Sequence, residues 1–295
     1  MDRRTLLVIN LRYHLVSLAA VLFSLAAGIA IGAGLLDDAG ASISNNQSRQ
    51  QDISPAVAGF DAAYAENTGP DLIRDSLSDE SVVVFTTPGA QDAQVTGIVE
   101  NLQTAGAQVT GQVALTSKLL APANRQFSEG VANQSGGDAV TGESAYQRIG
   151  SALARAYLGT ETAEADQDAR TIRSAFVQGE LLDQTTEPEQ TATLAVIVTG
   201  PASPDDADYG AVVAQLAPAL DDASSGVLVT GPVSSSEDRG IVGRVRAADG
   251  TQDISTFDVT DSATGRIMAV AALAREAEGN PGAWGTSRAA DGPIP

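Results

Sequence analysis

Two kinds of hydrophobic pattern divide the chain. From Leu15 to Leu36 the sequence LVSLAAVLFSLAAGIAIGAGLL runs for 22 residues without a charge. As a helix rising about 1.5 Å per residue it would span about 33 Å, enough to cross a hydrocarbon core. Eleven of the 22 are Leu, Ile, Val or Phe, so insertion is favourable despite the glycines. Beyond this stretch the apolar residues come instead in short runs separated by amphipathic segments. SVVVFTTPGA, from Ser81, reads as a buried strand ending in a Pro-Gly loop. A helix over about residues 91–105 follows, with Val95, Ile98, Val99 and Leu102 on one face, and AQVTGQVAL then reads as a second strand. This strand-helix-strand unit builds parallel sheets.

The middle of the chain reads as two helices, ESAYQRIGSALARAYLG and DARTIRSAFVQGELLD, with a Gly/Ser-rich interruption at Ser135 to Gly137 before the first. Strands return with TLAVIVTGPAS, GVLVTGPVSS and ISTFDVT, alternating with helices over about 207–222, 237–248 and 263–277. AVIVTGPAS and GVLVTGPVS repeat at an offset of 31 residues, the length of one strand-loop-helix unit. The fold class expected is α/β: a Rossmann-like, doubly wound, mostly parallel sheet of about five strands, preceded by one transmembrane helix and a short helical stalk. The stalk carries a faint heptad, with Ile43, Gln50, Val57 and Tyr64 at one seam position and Asn46, Ile53 and Phe60 at the other. Three of these seven are polar and Pro55 interrupts the seam, so a linker, or a helix packed on its own domain, is an equal alternative.

The charge distribution orients this plan. Residues 1–36 hold Arg3, Arg4 and Arg12 against Asp2, whereas residues 37–295 hold 14 basic and 36 acidic residues. The positive-inside bias keeps the N-terminus cytoplasmic and sends the rest across the membrane. The expected layout is a cytoplasmic N-terminus (1–14), a transmembrane helix (15–36), a stalk or weak coiled coil (37–78), an extracytoplasmic α/β domain (79–278) and a flexible, Gly- and Pro-rich tail (279–295). A cleaved signal peptide is the competing reading, although its apolar region is ordinarily shorter, about 7–15 residues. Ser24, Gly28 and Gly32 recur every four residues, a small-residue face on which another transmembrane helix can approach. The partners expected are therefore the membrane, a second copy through the transmembrane helix or stalk, and another envelope protein.

Composition removes several chemistries. The chain has no Cys, one His and two Met, and only one of its 17 basic residues is Lys. A disulfide framework, a zinc ribbon and a thiol nucleophile are excluded. A net charge of −20 opposes nucleic-acid binding. No cofactor is implied, and the chain does not read as an enzyme. In an open parallel sheet ligands sit beyond the strand carboxyl ends. Here those ends carry Thr87, Pro88 and Gly89; Thr199, Gly200 and Pro201; and Thr230, Gly231 and Pro232. They form a candidate crevice without a phosphate-binding or nucleophile-elbow fingerprint. Their Pro-Gly content also serves simply to turn the chain. Acidic neighbours such as Asp205, Asp206 and Asp208, Asp221 and Asp222, and Glu237 and Asp238 read as capping groups or a solvated face.

Arg12, His14, Val16 to Val21, Leu25, Ala26, Gly28 and Gly32 form an RxHxVSLAAVxxxLAxGxxxG-like anchor. With the SVVVFTTPGA, VIVTG and GVLVTG strands in order, the chain resembles the MctB family of actinobacterial envelope proteins over most of its length, to about residue 275. That resemblance implies a role in copper export or homeostasis through an outer-membrane channel. The residues do not supply the expected ligands: copper(I) favours soft sulfur or imidazole, and the chain offers only Met1, Met268 and His14. A membrane barrel would need at least eight alternating strands. The reading is therefore a single-pass envelope protein linked to copper that acts through protein contacts rather than as a pore by itself. The alternative is a non-enzymatic scaffold or regulator that binds a cell-wall hydrolase or division factor.

Overall fold

The computed structural model describes residues 55–186, 188–203 and 208–295. The expected transmembrane helix, with Arg3, Arg4, Arg12, Ser24, Gly28 and Gly32, lies outside them. Among the described residues no helix is long and apolar enough to cross a membrane.

Seven strands form one sheet: β1 (Ser81–Thr86), β2 (Gln108–Leu115), β3 (Leu182–Thr186), β4 (Leu194–Val198), β5 (Val227–Thr230), β6 (Ser255–Asp258) and β7 (Ala283–Gly285). Their order is β3-β2-β1-β4-β5-β6-β7. All neighbours are parallel except β2 and β3. β4 is buried along its whole length and β1 along all but its last residue, the pattern of strands covered by helices on both faces.

The helices are α1 (Pro55–Ile73), α2 (Asp92–Thr104), α3 (Ser117–Leu120), α4 (Arg125–Gly136), α5 (Ala145–Tyr157), α6 (Gln167–Gln178), α7 (Tyr209–Asp221), α8 (Ile241–Ala247) and α9 (Ala263–Ala277). Ser144, Asp166, Asp208 and Ser262 begin α5, α6, α7 and α9 by accepting a backbone N–H with their side chains. Two cores result. Val83, Phe85, Ala195, Ile197, Val227 and Val229 face α4 to α8, while Val82, Val84, Val196, Val198 and Leu228 face α1, α2 and α9.

The expected count of about five strands is corrected to seven. β3 occupies the end of the segment expected to stay helical to Asp183: α6 stops at Gln178, and Glu180 turns the chain with φ +57. Leu182 then pairs with Leu115. The other added strand, β7, lies in the tail expected to be irregular. Its backbone pairs with β6, Trp284 is buried, and Gly285 N–H donates to Gly292 O at 2.9 Å. Glycine and proline content signals a lack of intrinsic preference, and here a neighbouring strand supplies the missing hydrogen bonds.

α1 falls within the stalk segment and packs on its own domain. The Asp61 carboxylate accepts from the N–H of Ala263 at 2.8 Å, and from the N–H and hydroxyl of Thr264. It thus serves the first turn of α9 from a different helix. Gly69 lies so close to Ile267 that a Cβ there would meet its Cδ1 at 2.1 Å. Ile73 and Leu77 are fully buried.

Candidate functional site

The strand order reverses between β1 and β4, and the segments that follow them meet at that point. Thr87 N–H donates to Val198 O at 3.0 Å, Thr199 N–H to Thr230 O at 2.8 Å, and Gly231 N–H to Phe257 O at 3.1 Å. Thr87, Pro88 and Gly89 are thereby brought beside Thr199, Gly200 and Pro201, and these beside Thr230, Gly231 and Pro232. Between the first two loops main chain approaches main chain closely. A Cβ on Gly200 would lie 2.4 Å from the Gly89 carbonyl carbon, and Gly89 itself has φ +86. Glycine is required at both: one for the close approach, the other for the left-handed backbone.

The two repeated Thr-Gly-Pro turns are not equivalent in space. Val198 pairs with Thr230, so Thr199 lies level with Gly231 rather than with its sequence counterpart. A one-residue offset sends the side chain to the opposite face of a sheet. Thr230 Oγ1 donates to Phe257 O at 2.9 Å. Thr199 Oγ1 instead points with Ser235 Oγ toward Gly231; the two lie 2.2 and 2.7 Å from the position a Gly231 Cβ would take. Thr87 Oγ1, Thr199 Oγ1 and Ser235 Oγ are buried and make no hydrogen bond among the described residues. They are neutral hydroxyls, suited to a small polar group and poorly suited to a soft metal ion.

Asp258, at the end of β6 and next to the Phe257 that pairs with Thr230, is fully buried and ion-paired to Arg246 of α8. Arg246 also donates to Thr256 Oγ1 at 2.8 Å, Ser287 Oγ at 2.6 Å and Trp284 O at 2.7 Å. Asp258 accepts from Thr286 N–H at 2.7 Å. This ion pair is fully engaged in holding the C-terminal segment against β6. Pattern reading missed it, because an isolated Asp after an apolar run looks like a strand end; the only signal was Arg246 on the apolar side of a short helix.

At the opposite end of the sheet a second acidic group departs from the expected solvated face. Glu276 near the end of α9 is 4% exposed and accepts from Ser255 Oγ. A Cβ on Gly226, which has φ +148, would lie 2.4 Å from Glu276 Cγ. Burial, and then the nearby charge of Asp221, push the Glu276 carboxyl up to about 7, against the lowering influence of Ser255. Asp221, the last residue of α7, is pushed up to about 6 by burial and by Asp222 and Asp253. Asp208 does act as a cap: it accepts from Ala211 N–H at 3.1 Å and pairs with Arg244 at 2.7 Å. Glu237 and Asp238 are exposed, while Asp205 and Asp206 lie outside the described residues.

Among the described residues no group of three or more His, Cys, Asp or Glu side chains could hold a metal ion. A cavity of about 470 Å³ among the described residues is lined by Glu164, Arg170, Pro188, Glu189 and Gln190, away from the strand-end loops. One surface remains conspicuous. On α1, Val57, Phe60 and Tyr64 are 56, 72 and 48% exposed, and the two aromatic rings stack with centroids 6.4 Å apart. These are seam residues of the heptad read from the sequence.

Comparison with known proteins agrees with the resemblance carried by the anchor motif. The family model described as "Copper transport outer membrane protein, MctB" matches residues 8–295. Proteins named copper transporter MctB from Mycobacterium tuberculosis and Mycobacterium bovis are 32% identical over 291 residues, covering 90% of this chain and 92% of theirs. The Mycobacterium leprae protein of that name is 29% identical over 294 residues, with the same coverage. The family is one of copper transport proteins and not an enzyme family. The family model covers nearly the whole chain and the relatives align over nine tenths of it, so the chain belongs to the MctB family of copper transport outer membrane proteins.

Proposed function

We propose that this chain is a single-pass envelope protein, N-terminus cytoplasmic and domain extracytoplasmic, that serves copper export or homeostasis through contacts with other protein surfaces rather than as a pore by itself. Copper is the cargo of the process, and the family supplies that link. The observation that carries the rest is the covering of the parallel sheet by helices on both faces. A membrane barrel needs antiparallel strands with one face to lipid and the other to a lumen. The sheet described here has an apolar core on each side, so its surface is that of a water-facing domain. The side chains favour a contact role over metal handling: no Cys is available, and Met268 is a partly buried side chain packed against an apolar core.

The test is made in a strain lacking the chain. Cellular copper and copper tolerance are measured after return of the wild type, or of a Phe60→Ser, Tyr64→Ser variant present at equal level. Rescue by the wild type and failure of the variant support the reading. Equal rescue by both overturns the contact mechanism, and absence of any copper phenotype in the deletion strain overturns the copper role. A reporter enzyme active only outside the cytoplasm, fused after residue 60, checks the topology; a silent fusion refutes it.

A further inference from the structure

We infer that the exposed face of α1 is the seat of a second copy of this chain, joined in parallel and in register along Phe60 and Tyr64. The inference rests on the single-pass reading above and adds the partner and its orientation.

Three features of α1 support it. Asp61, Ala65 and Gly69 face α9, whereas Phe60 and Tyr64 lie roughly 120° around the helix, at about 100° per residue, so intradomain packing leaves their face open. Phe60 is the most exposed large apolar side chain among the described residues, at 72%. The face is also free of the charge that dominates the molecule. In a chain of net charge −20, residues 55–65 contain a single ionisable carboxylate, Asp61, and its oxygens are taken by Ala263 and Thr264. Two copies therefore meet here without the self-repulsion that other surfaces impose. An exposed apolar patch without charges is the mark of a protein contact.

The sequence pattern selects a second copy. Phe60 and Tyr64 continue, in the same heptad phase, a series running back through Ile53, Gln50, Asn46 and Ile43 toward the hydrophobic segment. In a parallel, symmetric pair each seam residue meets its own counterpart, so Phe60 meets Phe60 and Tyr64 meets Tyr64 only when direction and register are shared. One membrane fixes both chains in the same direction and raises their effective concentration, which lets a short seam suffice where free domains would need a larger interface.

The absence of cysteine makes the test direct, because one introduced thiol can form a disulfide only between chains. Tyr64→Cys places it in the seam, where facing Cα atoms come within disulfide reach. Gly59→Cys places it on a third face of α1, where a Cβ would meet nothing within 4 Å. Both full-length variants are expressed in membranes and oxidised, and both are labelled in intact cells with a membrane-impermeant maleimide. The expected result is external labelling of both, with a dimer fraction for Tyr64→Cys at least about tenfold above that for Gly59→Cys, the effect of a fixed seam rather than random encounter. External labelling with equal or absent cross-linking overturns the dimer and leaves the topology standing. Cross-linking of Tyr64→Cys to a different protein overturns the assignment of a second copy. No external labelling of either variant overturns the topology, and this inference with it.

Discussion

Replacing Glu276 by Gln should make the chain more stable above neutral pH while leaving it unchanged in mild acid. In the folded chain Glu276 is 4% exposed, and burial with the nearby Asp221 charge holds its pKa up to about 7, against an ordinary 4.5. The folded state thus binds this proton more tightly than the unfolded state does. The group's contribution to stability is complete below about pH 4.5 and is lost as pH rises through about 7. Raising the pKa from 4.5 to about 7 corresponds to about 3 kcal/mol. Gln matches the protonated acid in shape and does not titrate. Variant and wild type should therefore coincide near pH 4.5 and separate by about 3 kcal/mol at pH 8, which corresponds to about 6–10 °C in Tm for a chain of this size. Asp221 shifts in the same direction and is lost first, between its ordinary 3.8 and about 6. Urea unfolding of both full-length chains from pH 4.5 to 8.5, followed by the fluorescence of the buried and only tryptophan, Trp284, measures the difference. A difference that stays constant across this range would refute the account of Glu276 as an acid whose pKa is raised by burial.

Five further substitutions probe separate parts of the fold by the same unfolding assay. Gly200→Ala forces a Cβ to within 2.4 Å of the Gly89 backbone and should cost about 1–3 kcal/mol. Thr230→Val removes the hydrogen bond to Phe257 O and should cost about 1 kcal/mol, whereas Thr199→Val, at the repeated position, removes an unbonded hydroxyl and should be neutral or stabilising. Asp258→Ala leaves Arg246 buried without its carboxylate and should cost about 3–5 kcal/mol, with the C-terminal segment becoming sensitive to protease. Gly59→Ala adds a methyl into open space on α1 and should stabilise by up to about 1 kcal/mol through helix propensity; a destabilised variant would contradict the placement of that face.

Five of the seven strands could be read locally, because VVVF, LAVIV and VLV are short runs apolar on both sides, bounded by Gly, Pro and polar turns. The helices around 92–104, 145–157 and 263–277 were legible for a related reason: each repeats its apolar residues at helical spacing behind a turn or cap. β3 and β7 were not, since LDQTT and AWG have no intrinsic strand pattern and exist through pairing with β2 and β6. The faint heptad in α1 named Phe60 and Tyr64, but it did not reveal that Asp61 and Gly69 would dock the same helix on α9.

At the strand ends the division is sharpest. The chain by itself determined that three turns rich in Thr, Gly and Pro follow three buried strands, because hydrophobic periodicity and turn chemistry are local properties. It also determined the absence of thiol ligands and the strong negative charge. Only the tertiary structure decided that Thr199 lies level with Gly231 and Thr230 with Val198, that Gly89 and Gly200 close on each other, and that Glu276 and Asp258 are buried. Strand register arises from pairing between residues tens of positions apart, and a shift of one residue exchanges the faces of a sheet. Burial of a carboxylate likewise depends on which helix ends converge on it, so two sequence-equivalent threonines, or two acids in similar local settings, come to have different partners and different chemistry.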